Sequence, residues 1–135
     1  MGGVPRGKKN KSETIKDYVS WFEIPAIDFE QAVNFYNHIF SITMQQNITD
    51  INAMAFFPVT TGIGGAVVAG QGYVPSDCGP LIYLNAGEDL NTVLSKVEVA
   101  GGRIIMPKTL ISEEMGFFAI FFDSQGNKLA LYSKN

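Results

Sequence analysis

An internal repeat of strand, helix and three strands constrains the fold of this chain more than any other feature. The order is predicted once over residues 17–70 and again over residues 79–133. The first strands of the two copies align at an offset of 60 residues. The last strands align at an offset of 64, where residues 55–66 match residues 119–130. The sequence therefore predicts two βαβββ modules.

Two such modules have to share a core, because one helix covers only one side of a four-stranded sheet. The repeat predicts an α+β fold in which two mixed sheets curl around a shared concave pocket, with the helices outside. The chain has 135 residues, which is the length of one ordinary domain. We expect residues 1–16 to form a flexible basic leader and residues 17–135 to form a single domain, made of modules 17–72 and 78–134.

The charge of the chain is unevenly distributed, and this excludes one class of partner. Residues 1–16 hold five basic residues and one acidic residue, whereas residues 17–135 hold five basic and 12 acidic residues, a net charge of −7. An acidic body repels phosphate backbones, so nucleic acid is not expected as a partner. The uncharged run that follows Ile51 contains Pro58 and several glycines, which indicate strands and turns instead of a membrane span.

The single residues of types used in catalysis give little support to the hypothesis that the protein is an enzyme. Cys78 is the only cysteine, which excludes an intrachain disulfide and is compatible with a reducing, cytoplasmic location. It lies in a linker and is expected to be a small filler side chain. His38 is the only histidine, and it falls outside the apolar stripe of the first predicted helix, as a solvated residue does. The sequence has no nucleophile elbow.

Each predicted helix begins after an acidic residue and carries one apolar stripe. Asp28 begins the first helix, and Gln31 three residues later completes a capping-box pattern. The second helix is predicted from about Glu88 and ends at Gly101-Gly102. The stripes consist of Phe29, Ala32, Val33, Tyr36, Ile39 and Phe40 in the first helix and Leu90, Val93, Leu94 and Val97 in the second.

Three segments within this repeat carry a family resemblance. They are the opening FEIPAIDFEQAVNFY, the helix entry NAGEDLNTVL and the turn FFDSQGNKLALY. With the paired modules, they resemble the vicinal oxygen chelate superfamily, which includes the glyoxalases, the bleomycin-resistance proteins and the extradiol dioxygenases. The resemblance covers roughly residues 18–133. It implies the same paired-module fold and a site on the inner faces of the sheets.

The resemblance also locates the positions where a metal would be bound. Metal-dependent members of the superfamily place four ligands on the inner face, one from the first strand and one from the last strand of each module. These positions fall on Trp21, Ala66, Leu81 and Ala130. Divalent ions need imidazole, carboxylate or thiolate donors, and none of the four residues supplies one. We therefore expect neither a metal nor another cofactor.

The period of two along a strand defines which residues share a face with those four positions. That face combines aromatic walls, small floors and a few polar groups, as small-molecule pockets do. In an alternative interpretation the aromatic residues fill a closed core and Glu23 pairs with Lys128. The candidate ligand-binding residues are Trp21, Glu23, Ala66, Val68, Leu81, Tyr83, Asn85, Lys128, Ala130 and Tyr132.

The sequence supports two main functional hypotheses. The first is metal-independent binding of a small, partly aromatic organic molecule in an inter-module pocket, in the manner of the bleomycin-resistance proteins that the chain resembles. The second is a lyase, isomerase or hydrolase acting on a small carbonyl or hydroxylated substrate, with Glu23 as catalytic acid or base. A vestigial pocket on a subunit that acts through its surface is a third. The resemblance implies a homodimer, and pairing of modules within one chain or between two chains stays open.

Overall fold

The computed structural model describes residues 14–135, so most of the expected leader lies outside the described residues. The fold is α+β and contains two mixed four-stranded sheets, which confirms the predicted fold class. The elements follow the predicted order of strand, helix and three strands, twice. They are β1 Trp21–Ala26, α1 Phe29–Phe40, β2 Gln45–Ile48, β3 Asn52–Phe56, β4 Gly64–Gly70, β5 Tyr83–Asn85, α2 Asn91–Leu94, β6 Arg103–Ser112, β7 Gly116–Phe122 and β8 Lys128–Ser133.

The two sheets have the same topology. The strand order is β1-β4-β3-β2 in the first sheet and β5-β8-β7-β6 in the second. The first and last strands of each module are parallel, and the other neighbours are antiparallel. Glu23 pairs with Ala66 in the first sheet, and Tyr83 pairs with Ala130 in the second. The offsets of 60 and 64 residues read from the sequence therefore align the two strand pairs.

Helix α1 begins where the capping-box pattern predicts. The Asp28 side chain accepts a hydrogen bond from the backbone N–H of Gln31 at 3.0 Å, which satisfies one of the free donors of the first turn. The helix ends at Phe40, and the C-cap residue Ser41 has a φ of 54°, in the left-handed region. Its buried residues are Ala32, Val33, Phe35, Tyr36 and Ile39.

Helix α1 contacts both sheets, so the two modules share one core. The ring of Phe35 stacks near that of Phe121 on β7, with 6.2 Å between the centroids. Tyr36 packs edge-on against Phe57 of the first module and donates a hydrogen bond to Asp123 of the second at 2.7 Å. We call the side of each sheet that faces this core the helix side and the opposite side the open side. Each open side is turned away from the common core.

Two elements of the second module differ from their predictions, and a third contains a proline. Strand β5 begins at Tyr83, so Leu81 precedes the strand. Helix α2 covers only Asn91–Leu94, because the following residues form tight turns such as Val97 N–H to Leu94 C=O at 3.1 Å. Strand β6 continues beyond Pro107 to Ser112. It is an edge strand, where a proline without an N–H is tolerated.

The second predicted apolar stripe is nevertheless buried. Leu90, Val93, Leu94 and Val97 all belong to the common core. A Cβ at Gly102 would lie 2.8 Å from the ring of Phe35, so the glycine at this position lets α1 approach the second module closely. None of the helices described between residues 14 and 135 is long and apolar enough to cross a membrane.

Candidate functional site

The open side of the first sheet presents an aromatic pair beside small buried residues. Trp21 on β1 is 44% exposed, and its ring centroid lies 6.2 Å from that of Phe56 on β3. Ala66 and Val68, on the strand between them, are fully buried. A Cβ at Gly64 would lie 3.2 Å from the Trp21 ring, so the indole lies close against β4. This open side therefore has an aromatic wall and a small apolar floor.

The carboxylate of Glu23 is held in place on this side. The indole N–H of Trp21 donates to Oε2 at 3.3 Å, and the hydroxyl of Tyr73 donates to Oε1 at 3.1 Å. The bond to Glu23, followed by the charge of that carboxylate, raises the pKa of the Tyr73 hydroxyl. Between residues 14 and 135 the structure has no ion pair of Glu23 with Lys128. The pairing required by the closed-core interpretation is absent from this part of the chain.

The open side of the second sheet repeats the arrangement. Tyr83 on β5 is 52% exposed, and its ring lies 6.3 Å from that of Phe118 on β7. Ala130 on β8, which lies between them, is fully buried. The hydroxyl of Tyr132 donates to the carbonyl of Met115. The amide oxygen of Asn85 accepts from the N–H of Gly87 at 3.0 Å, which fixes that side chain at the end of β5.

Two cavities lie along the edges where the modules meet. The smaller, which we call the charged cleft, has a volume of about 310 Å³ and is lined by Glu23 and Lys128 together with Cys78. The larger, which we call the apolar cavity, has a volume of about 650 Å³ and is lined by Leu81, Tyr83 and Asn85, among others. The remaining candidates line neither of these cavities; they are Trp21, Ala66, Val68, Ala130 and Tyr132.

Three residues of the open sides were not among the candidates predicted from the sequence. Phe56 pairs with Ala66 and Phe118 pairs with Tyr132 across neighbouring strands. Extending the alternation of side chains to the adjacent strands would have found both. Tyr73 lies in a turn after β4, and its hydroxyl reaches Glu23 across 50 positions of the sequence. No local pattern in the sequence indicates such a contact.

The residues at the four expected ligand positions do not suit a metal ion. Trp21, Ala66, Leu81 and Ala130 carry no imidazole, carboxylate or thiolate group. In the part of the chain that the structure describes, no group of three or more His, Cys, Asp or Glu residues could hold a metal. We therefore derive no chemistry through a metal on these sheets, and metal-independent function stays a prediction.

Comparison with solved structures identifies the architecture. TnmS3, an antibiotic-binding protein from Streptomyces sp. CB03234, is similar over 91% of this chain and 100% of its own, with a TM-score of 0.67 and 18% identity. A glyoxylase/bleomycin resistance protein/dioxygenase domain from Frankia sp. EAN1pec is similar over 88% of this chain and 98% of its own, with a TM-score of 0.65 and 14% identity.

A third similar structure contains a metal. It is a point mutant of the fosfomycin resistance protein FosX from Listeria monocytogenes, complexed with Mn(II) and a dihydroxypropylphosphonic acid. It is similar over 90% of this chain and 95% of its own, with a TM-score of 0.63 and 12% identity. No family model matches the sequence, and no curated protein matches it either. The chain therefore has the paired-module fold of the glyoxalase, bleomycin-resistance and dioxygenase proteins, which confirms the resemblance at the level of fold.

Proposed function

We propose that the protein binds a small, partly aromatic organic molecule without a metal. The pocket would lie between the open side of a first module and the open side of a second module. One observation carries this proposal: Trp21 and Tyr83 are half-exposed aromatic residues beside the fully buried Ala66 and Ala130. Large exposed aromatic rings beside a small floor offer a flat ligand stacking and packing contacts. Trp21 occupies one of the four positions at which metal-dependent members of the superfamily carry a metal-binding residue. Tyr83 lies two residues after another of these positions, Leu81.

The polar groups near these aromatics suit orientation of a ligand. Both oxygens of Glu23 accept hydrogen bonds, from Trp21 and Tyr73, so the carboxylate has a fixed position. Lys128 is exposed at the start of β8 and has the opposite charge. A few fixed polar groups within an apolar surface are what small-molecule sites use for specificity. The similarity in fold to the antibiotic-binding protein TnmS3 supports the same class of function.

We propose that the complete pocket needs a second copy of the chain. Helix α1 lies against the helix sides of both sheets, so the open sides of one chain are turned away from its core. A two-fold axis would place the open side of the first sheet against the open side of the partner's second sheet, and would do so twice. The inter-module pocket would then combine Trp21 and Glu23 of one chain with Tyr83 and Lys128 of the other.

Titration with a panel of small aromatic and thiol-conjugated compounds tests the proposal. Trp21 is the only tryptophan, so its fluorescence reports a ligand on the open side of the first sheet. For a compound that binds, Trp21→Ala should weaken binding by about 1–3 kcal/mol, measured by calorimetry. Tyr18→Ala removes an exposed aromatic residue outside both cavities and should leave the affinity unchanged. A panel without any binder, or equal losses in both variants, would contradict the proposal.

A lyase, isomerase or hydrolase activity is the second candidate, and the fixed carboxylate of Glu23 supports it. A general acid or base has to be held within reach of the reacting group, and Glu23 accepts two hydrogen bonds that hold it. In an enzyme, Glu23→Gln should abolish turnover of a bound carbonyl or hydroxylated compound while the compound still binds. Glu88→Gln removes an exposed carboxylate elsewhere and serves as the control. Equal turnover in Glu23→Gln and wild type would exclude this role.

A further inference from the structure

We infer that the apolar cavity is a second ligand site, which takes an uncharged aromatic molecule. The cavity has a volume of about 650 Å³, within the range of pockets that hold drug-sized ligands. Both modules line it: Phe22, Phe40 and Phe57 come from the first, and Ile82 and Leu84 come from the second. The inference goes beyond the proposed function, because this aromatic wall lies on the side of β1 opposite Trp21, although the cavity shares Leu81, Tyr83 and Asn85 with the candidate ligand-binding residues.

The cavity lies on the helix side of β1 and extends around the edge strand β5 to Tyr83 and Asn85 on the open side of the second sheet. Successive side chains of a strand point to opposite sides, so Phe22 and Trp21 project from opposite sides of β1. Phe22 lines the cavity and Trp21 does not. A ligand in the cavity would therefore contact the helix side of the first sheet, whereas Trp21 lies on the open side of the same sheet.

The aromatic wall of the cavity is held in place by the core. The ring of Phe57 lies 5.5 Å from that of Phe22 and 6.2 Å from that of Phe40. Its centroid is also 5.4 Å from that of the fully buried Tyr36. A Cβ at Gly65 would overlap the Phe22 ring, so only a glycine lets this ring lie flat against β4. Rings fixed in this way form a preformed surface for stacking.

The composition of the lining determines the charge of the ligand. The residues that line the cavity include no Asp, Glu, Lys, Arg or His. An ionised ligand would lose its hydration there without gaining a counter-charge, which is strongly unfavourable. The polar side chains of the lining are the hydroxyl of Tyr83 and the amide of Asn85, both from β5. The ligand class is therefore an uncharged, largely aromatic molecule whose hydrogen-bonding groups face β5.

A pair of related fluorescent probes tests this assignment on the intact chain. The neutral probe is N-phenyl-1-naphthylamine, and the anionic one is 8-anilino-1-naphthalenesulfonate, which has nearly the same rings. We expect the neutral probe to saturate one site per chain and to bind on the order of tenfold more tightly than the anionic one. Equal affinities, or no saturation by the neutral probe, would overturn the inference.

Substitutions that fill the cavity locate the probe. Ile63 lines the cavity and is 37% exposed, so Ile63→Trp should occupy part of the space and weaken the neutral probe on the order of tenfold. Ile48→Trp, at an exposed position outside the lining of both cavities, should leave its affinity within about twofold. Val19→Trp fills the cavity from another half-exposed lining position and gives the same test if Ile63→Trp does not fold.

Two further measurements distinguish this site from the proposed pocket and from a subunit interface. Trp21→Ala should leave the neutral probe within about twofold of the wild-type affinity, because Trp21 lies outside the cavity. A loss equal to that in Ile63→Trp would instead place the probe in the proposed pocket and overturn the second site. Probe binding that disappears as the protein concentration rises would show that a second copy covers the cavity, which also overturns the inference.

Discussion

At the scale of single residues, the buried carboxylate of Asp123 joins the two modules. It is 4% exposed and accepts a hydrogen bond from the hydroxyl of Tyr36 at 2.7 Å. It also accepts from the backbone N–H groups of Gln125 and Asn127 and from the side-chain amide of Asn127, at 2.9 to 3.0 Å. The same amide of Asn127 donates to the carbonyl of Pro25 near the end of β1. These bonds connect α1 and β1 to the turn between β7 and β8.

Removal of the Tyr36 hydroxyl should therefore weaken the contact between the modules. Tyr36→Phe removes a buried donor to a carboxylate and should lower the free energy of unfolding by about 1–3 kcal/mol, measured by urea denaturation. Tyr18→Phe removes a hydroxyl from a side chain that is mostly exposed and should change it by less than about 0.5 kcal/mol. Equal effects of the two variants would show that the bond to Asp123 contributes nothing to stability.

The same hydroxyl should make the free energy of unfolding depend on pH in the alkaline range. Burial, followed by the charge of Asp123 and the hydrogen bond to it, raises the pKa of Tyr36 well above its ordinary value of 10.0. The unfolded chain loses this proton first, so the stabilisation is complete below about pH 10 and is lost as the pH rises further. The free energy of unfolding of the wild type should fall more steeply between about pH 9 and pH 11 than that of Tyr36→Phe. Parallel curves would contradict the assignment.

At the scale of elements, local sequence patterns predicted the structural features that depend on residues close together in the sequence. Alternation along β1 placed Trp21 and Glu23 on one face, and in the structure the indole N–H of Trp21 donates to the Glu23 carboxylate. The capping box identified the start of α1. Helix α2 was predicted too long, since its apolar stripe also suits a series of tight turns. Contacts across about 100 positions, such as those of Gln125, have no local signal.

Gln125 completes the start of α1 from the other module. Its side-chain oxygen accepts from the backbone N–H groups of Ile27 and Asp28, each at 2.8 Å, and its amide donates to the side-chain oxygen of Gln31 at 2.7 Å. Gln125→Ala should lower the free energy of unfolding by about 1–2 kcal/mol, as the loss of a helix cap does. Gln45→Ala, in the exposed strand β2, is the matched control and should have almost no effect. Thermal denaturation that fails to distinguish the two variants would contradict this role.

At the scale of the whole molecule, the open sides of the two sheets are the surfaces through which we expect the protein to dimerise. Half-exposed aromatic residues lie on both sheets, and exposed apolar patches are where protein interaction sites are found. The charges on the two open sides are also complementary, since Glu23 lies on the first sheet and Lys128 and Arg103 lie on the second. A two-fold pair would bring these charges together while it covers the aromatic rings.

This complementarity predicts that the protein dimerises through its open sides. Trp21→Lys would remove the aromatic ring from the interface and neutralise Glu23, so it should weaken the dimer at least about tenfold, or about 1.4 kcal/mol, measured by sedimentation equilibrium. Tyr18→Lys adds the same charge at a more exposed position before β1 and should leave the dimer intact. Because Trp21 is already 44% exposed in the single chain, the variant monomer should keep its fold and its circular dichroism spectrum. A wild-type protein that sediments as a monomer at about 100 μM, or a Trp21→Lys dimer as stable as the wild type, would show that the open sides do not meet, and the pocket would then have to be completed within one chain.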